Sequence, residues 1–308
     1  MKILVTGGAG YVGTSLIPQL LEKGHKVRIL DNLMFGGEPI VQFFGHKEFE
    51  FQNGDIRNME DVKKAVAGQD AVIHLAAIVG FPACSRYPKL AEEVNVGGTK
   101  NLASVLSKNQ TVIYASTGSN YGSVEGICTE ETPLNPLSLY GRTKTEAEKY
   151  LLDNCSTIGY RFATAFGISP RLRLDLLIND FTFKAAKQRY LVVYEKNFRR
   201  TFIHVKDMGR AFIFGMENRD KMTGQVYNVG SEKMNYTKEQ VCEMIKAATK
   251  CEVYYAEIGQ DADKRDYEVS YQKINKLGFD TTISVEEGIG QLARAFEVIG
   301  NNSAYTNI

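Results

Sequence analysis

Apolar positions in the first half of the chain switch repeatedly between two periods. Residues 2–6 form a short apolar run that ends in glycines. Residues 11–22 carry Val12, Leu16 and Leu20 at helical spacing, and Gly24 stops the pattern. Pro18 inside that stretch is expected to kink it. Residues 26–30 are β-branched and apolar and run into Asp31, and 48–52 reads as a third strand. A helix follows over 58–67 with Asn58 as N-cap, then a buried strand over 71–76. The spacing next predicts a long helix over 87–107, a strand over 111–116, a helix over 139–154 and a strand over 160–166. Such alternation implies α/β architecture, a parallel sheet with helices on both faces. Right-handed crossovers make that sheet doubly wound.

Beyond residue 166 the rhythm loosens and charges cluster at Arg171, Arg173 and Asp175. Helical patterns cover 175–188, 206–218, 237–249 and 285–299, with short strands over 191–194, 225–229 and 252–256. This predicts two parts. Residues 1–166 form the doubly wound domain. Residues 167–308 form mainly a smaller α/β substrate lobe, interleaved with the end of the sheet. The tail, 301–308, is expected to fray.

Composition narrows the partners more than the fold. The chain has 37 basic and 36 acidic residues, so nothing in its charge attracts nucleic acid or an anionic membrane. The longest apolar stretch, 71–81, is interrupted by His74 and is too short to span a bilayer. The start of the chain lacks the long apolar core of a signal peptide. Five cysteines are scattered without a CxxC, and the four histidines are isolated, so neither a disulfide scaffold nor a metal site is expected. Cysteines used this way suit a reducing cytoplasm.

Candidate chemistry begins at the first strand–helix turn, Gly7-Gly8-Ala9-Gly10-Tyr11-Val12-Gly13. Glycines let a backbone turn tightly and approach a pyrophosphate, whose charge rests on the helix N-terminus. A glycine turn alone is weak, but here a strand precedes it, a helix follows, and a second strand ends at Asp31, eighteen residues past Gly13. A carboxylate there accepts hydrogen bonds from the adenosine ribose and repels a 2′-phosphate. A Rossmann-type site for NAD, rather than NADP, is expected.

Tyr140 and Lys144 form a YxxxK, a pattern that chance alone produces about once in a chain of this composition. Its position gives it meaning. Residues four apart share a helical face, and the preceding strand ends in Ser116-Thr117, at the edge of the expected ligand crevice. A lysine ammonium beside a tyrosine favours the phenolate and makes it a competent general base.

Further segments occur in order: Asp31-Asn32, Gly54-Asp55-Ile56-Arg57, His74-Leu75-Ala76-Ala77, Asn95-Val96-Gly97-Gly98-Thr99, Ser116-Thr117 with Tyr121-Gly122, Arg200-Thr201-Phe202-Ile203-His204-Val205 with Asp207, and Tyr227-Asn228-Val229-Gly230. The set resembles the extended short-chain dehydrogenase/reductases, specifically NAD-dependent nucleotide-sugar epimerases and dehydratases, over nearly the whole chain. The resemblance implies that Asp55 and Ile56 contact adenine and that Leu75, Ala76 and Ala77 line the pyrophosphate and ribose. It implies that Thr117 holds the sugar hydroxyl beside Tyr140 and that Lys144 binds the nicotinamide ribose. Val79 and Gly80 are placed at the substrate, and Asn179, Arg200 and Arg265 at its diphosphate or nucleoside. In similar proteins the counterparts of the helices over 87–107 and 139–154 build a homodimer.

Two departures from the family pattern narrow the implied reaction. Dehydratases of the family carry Asp-Glu after the catalytic threonine, whereas Gly118 and Ser119 stand here, and neither is an acid near neutral pH. Oxidation of a ring alcohol at C4 remains, with the keto sugar released by a 4-dehydrogenase or re-reduced by a 4-epimerase. Thr164 stands where many epimerases have Asn. The stretches 169–177 and 79–84 look like a subgroup associated with surface-polysaccharide sugars, some of whose members act on GDP-heptoses. Rival readings are a keto-sugar reductase using NADPH, which Asp31 opposes, and a non-catalytic cofactor-binding scaffold, which the intact Thr117, Tyr140 and Lys144 oppose.

Overall fold

The alternating segments fold in the order β1 (Lys2–Thr6), α1 (Tyr11–Glu22), β2 (Lys26–Asp31), β3 (Phe49–Asn53), α2 (Met59–Val66) and β4 (Ala71–His74). Three short helices follow, α3 (Phe81–Arg86), α4 (Pro88–Glu92) and α5 (Thr99–Val105), then β5 (Thr111–Thr117), β6 (Ile127–Cys128), α6 (Leu139–Asn154) and β7 (Thr157–Phe162). The second half runs β8 (Thr164–Phe166), α7 (Leu177–Gln188), β9 (Tyr190–Tyr194), β10 (Arg199–His204), α8 (Val205–Glu217), α9 (Arg219–Met222) and β11 (Gln225–Val229). It ends with β12 (Asn235–Thr237), α10 (Lys238–Thr249), β13 (Glu252–Ala256), β14 (Glu268–Val269), α11 (Gln272–Asn275) and α12 (Val285–Val298). The computed structural model describes residues 1–256, 267–300 and 305–307.

Seven strands form one parallel sheet in the order β11-β7-β5-β4-β1-β2-β3. Alternation along β1 explains its two faces. Ile3 and Val5 face a core shared with Leu16 and Leu20 of α1 and Phe212 of α8, while Leu4 faces Val62 of α2 and Leu151 of α6. Strand order reverses between β1 and β4, and a crevice opens beyond their C-terminal ends. Helix α1 runs through Pro18 without ending there.

Three departures from the sequence expectations have local causes. The strand expected over 160–166 breaks at Ala163. There β7 stays beside β11 in the large sheet, and β8 crosses to a smaller sheet of order β12-β10-β8. Both pieces are apolar, so hydrophobicity alone could not show the change of sheet. The long helix expected over 87–107 is α4 and α5 joined by a π-helical segment, Glu93–Gly98, which contains the helix-weakening pair Gly97 and Gly98. The tail does not simply fray: at its described residues, Leu174 N–H donates to Tyr305 O at 2.7 Å. The second lobe has its own core, in which Ile178, Phe202, Val241 and Leu292 pack together. Meanwhile β11 and α8 return to the large sheet and to α1.

Candidate active site

The glycine turn is built for close approach. Gly7 has φ +70°, and a Cβ there would meet the Ala76 backbone nitrogen at 2.7 Å. A Cβ on Gly13 would stand 2.4 Å from Gly8 O, and one on Gly10 would stand 3.2 Å from Gly7 O. The turn thus packs against the chain just past β4 and against itself, and the start of α1, whose first N–H groups have no partner within the helix, lines the crevice. At the end of β2, Asp31 accepts from Ala9 N–H at 3.0 Å and Leu33 N–H at 2.9 Å. A carboxylate has lone pairs for further donors, so ribose hydroxyls can still be accepted. Burial pushes the Asp31 carboxyl up, and those two N–H groups and the charge of Arg171 pull it down. Asp55 accepts from Asn32 Nδ2 at 3.1 Å and pairs with Arg57 at 2.8 Å. Hydrogen bonds from Arg57 outweigh partial burial and hold the Asp55 carboxyl at about 2.

These residues and the expected catalytic trio line one cavity of about 490 Å³. Its wall includes Gly7, Gly10, Tyr11, Val12, Gly13, Asp31, Asn32, Asp55 and Ile56 from the turn and from the ends of β2 and β3. Leu75, Ala76, Ala77, Val79 and Gly80 come from beyond β4, and Thr117, Tyr140 and Lys144 from β5 and α6. A turn whose glycines leave no room for side chains, beside a half-buried carboxylate, fits the pyrophosphate and ribose of NAD.

Lys144 is 2% exposed, and its Nζ lies 4.0 Å from the centre of the Tyr114 ring, a cation–π contact. Burial lowers its pKa to about 7, against the pull of Glu148 one helical turn on. His74, at the end of β4, hydrogen-bonds Thr6 at 2.7 Å and Thr99 at 2.9 Å, and burial lowers its pKa to about 3, so it stays neutral. Thr117 ends β5 and caps a short turn, accepting from Ser119 N–H at 3.1 Å and donating to Ser119 Oγ at 3.1 Å. Among the described residues the wall next to Thr117 offers hydroxyls and no carboxylate. A Cβ on Gly118 would come within 3.3 Å of the Tyr267 hydroxyl, a tight contact. The loop carrying Val79 and Gly80 is tied down by buried Asn95 of the π segment. Its Oδ1 accepts from Ile78 N–H at 2.7 Å, and its Nδ2 reaches Thr143 Oγ1, beside Lys144, at 3.0 Å.

Two expected substrate residues lie elsewhere. Asn179 is fully buried: its Oδ1 accepts from Gly167 N–H at 2.9 Å, and its Nδ2 donates to Arg173 O at 2.9 Å. It braces the chain after β8 and does not reach the cavity. Arg200, 2% exposed on β10, donates to Arg199 O and also stays outside the cavity wall. Arg265 lies outside the described residues. The cavity instead holds Arg171 and Arg173, with Thr164, Phe35, Tyr267 and Asn307. Arg173 is paired with Asp175 beside Gly80. The arginine cluster at 171–175 was visible in the sequence, but its place in the wall was not.

Among the described residues no group of side chains could hold a metal ion, and no helix is long and apolar enough to cross a membrane.

Residues 3–230 match the model of the NAD dependent epimerase/dehydratase family. A putative UDP-glucose 4-epimerase of Methanocaldococcus jannaschii is 29% identical over 93% of this chain and 95% of that protein. The low-salt glycan biosynthesis protein Agl12 of Haloferax volcanii is 30% identical over 94% and 96%. The UDP-glucose 4-epimerase of Thermotoga maritima, solved with UDP-glucose, superposes with a TM-score of 0.85 at 26% identity, covering 96% of this chain and 99% of that one. That of Thermus thermophilus, solved with NAD, gives 0.84 at 25% identity, covering 97% and 99%.

Proposed function

Because the chain belongs to the NAD dependent epimerase/dehydratase family, we propose that it oxidises the C4 hydroxyl of a nucleotide-diphosphate sugar. The observation that carries this reading is a single cavity that joins the glycine cradle and Asp31 to Thr117, Tyr140 and Lys144. NAD, when bound, supplies a hydride acceptor. Asp31 supports NAD over NADP. Tyr140 takes the proton of the hydroxyl, Thr117 orients its oxygen, and the Lys144 charge favours the phenolate. Gly118 and Ser119 supply no acid for elimination, and a side chain on residue 118 would crowd the Tyr267 hydroxyl. This supports a 4-dehydrogenase or 4-epimerase over a dehydratase. GDP-heptoses and UDP-hexoses are the first sugars to try. A homodimer through α4, α5 and α6 belongs to the same reading. So does a cytoplasmic site, which suits five cysteines that are all unpaired.

The test is incubation with a panel of nucleotide sugars, following NADH absorbance and product NMR. A keto sugar in solution identifies a dehydrogenase, and an inverted C4 an epimerase. Tyr140→Phe is expected to cut turnover by about 100- to 10,000-fold while NAD still binds. Full activity in that variant refutes the assignment.

A further inference from the structure

Arg171 is a buried cation without an anion of its own. It is 2% exposed, and among the described residues no carboxylate lies within ion-pair distance of it. Its Nη2 donates to Thr306 O at 3.1 Å, its Cζ sits 4.3 Å from the centre of the Phe35 ring, and its Nε has no partner. Its neighbour Arg173 differs in being satisfied by Asp175. Burying an unpaired guanidinium is costly unless something negative completes it.

Its surroundings narrow the choice of anion. The backbone N–H of Arg171 donates at 3.3 Å to the hydroxyl of Thr14, in the first turn of α1 just past the glycine cradle, which fixes where the side chain starts. Phe35, under the guanidinium, lies four residues beyond Asp31, whose charge Arg171 feels. Arg171 lines the same cavity as the glycine cradle and Asp31. We propose that Arg171 is a direct ligand of the cofactor's diphosphate, held over the cleft by Phe35 below and the carbonyl of Thr306 above. The second lobe and the C-terminal tail then close the cofactor site that the first half opens. A planar guanidinium suits a diphosphate because its paired N–H groups match paired oxygens.

The inference rests on NAD occupying this cleft, as in the proposed function. It is tested without sugar, so its failure is separable from failure of the proposed oxidation. Binding of NADH, ADP-ribose, adenosine, UDP and GDP is measured on nucleotide-stripped protein by fluorescence and calorimetry. Arg171→Gln is expected to weaken NADH and ADP-ribose on the order of 10- to 100-fold and to leave adenosine, UDP and GDP unchanged. Arg171→Lys, which keeps the charge, is expected to recover part of the loss. Unchanged NADH affinity in Arg171→Gln overturns the proposal. So does a loss that extends to adenosine, or one confined to UDP and GDP, which would place the guanidinium on the sugar nucleotide.

Discussion

Burial of Lys144 sets the proton inventory of the site. In the unfolded chain a lysine titrates at about 10.4, and here burial lowers that to about 7. Between those values the unfolded state binds more protons than the folded one. Stability of the ligand-free protein therefore rises with pH across that window as far as Lys144 is concerned. Lys144→Met is expected to remove that contribution, flattening the rise between about pH 7 and about pH 10 in urea unfolding. An identical pH profile in the variant contradicts the burial argument. At this scale the residues legible in the sequence were those with a local backbone reason: glycines in a turn, a carboxylate at a strand end, a tyrosine and lysine one turn apart. Asn179 and Arg200 had polar identity but no such reason; both are buried outside the cavity lining, Asn179 on the backbone of Gly167 and Arg173. Phe35 and Asn307 gave no signal, because only tertiary folding brings them to the cavity.

Helix α6 presents Tyr140 and Lys144 to the cleft, and a buried ion pair anchors it. Glu148 accepts from Arg161 of β7 at 2.7 Å, and Arg161 also donates to Tyr121 Oη at 3.2 Å and Glu130 O at 3.1 Å. Removing one partner leaves a buried charge uncompensated. Glu148→Leu is expected to cost about 3–5 kcal/mol in urea unfolding. Turnover is expected to fall in the same variant as α6 loosens. An effect below about 1 kcal/mol, typical of exposed pairs, would show that the anchor is not where the helix is held. Several elements matched their sequence limits because caps or glycines mark them: Asn58 accepts from Glu60 and Asp61 N–H at the start of α2, and the glycine turn opens α1. What could not be read was partnership. The pairing of β8 with β10, and the π segment that lets Asn95 bind Ile78, depend on neighbours distant in sequence.

The two sequence rhythms do not divide the whole molecule into separate bodies, as the expected interleaving with the end of the sheet already implies. The division near residue 166 marks where periodicity changes, yet β11, from the second half, pairs along all of β7. Strand β7 is buried at each of its six positions. For the growing chain this has a consequence in time. Until residue 229 has left the ribosome, β7 is an open edge, largely apolar, of the kind that recruits other chains. A fragment ending at 166 is expected to precipitate, and one ending at 230 to stay in solution and protect the β7 amides from hydrogen exchange. Equal solubility of the two fragments would count against this. Synthesis of the second half is thus the event that completes the sheet supporting the cleft, and a stalled chain carries every cofactor-turn glycine and the Tyr140–Lys144 pair without a finished scaffold to hold them.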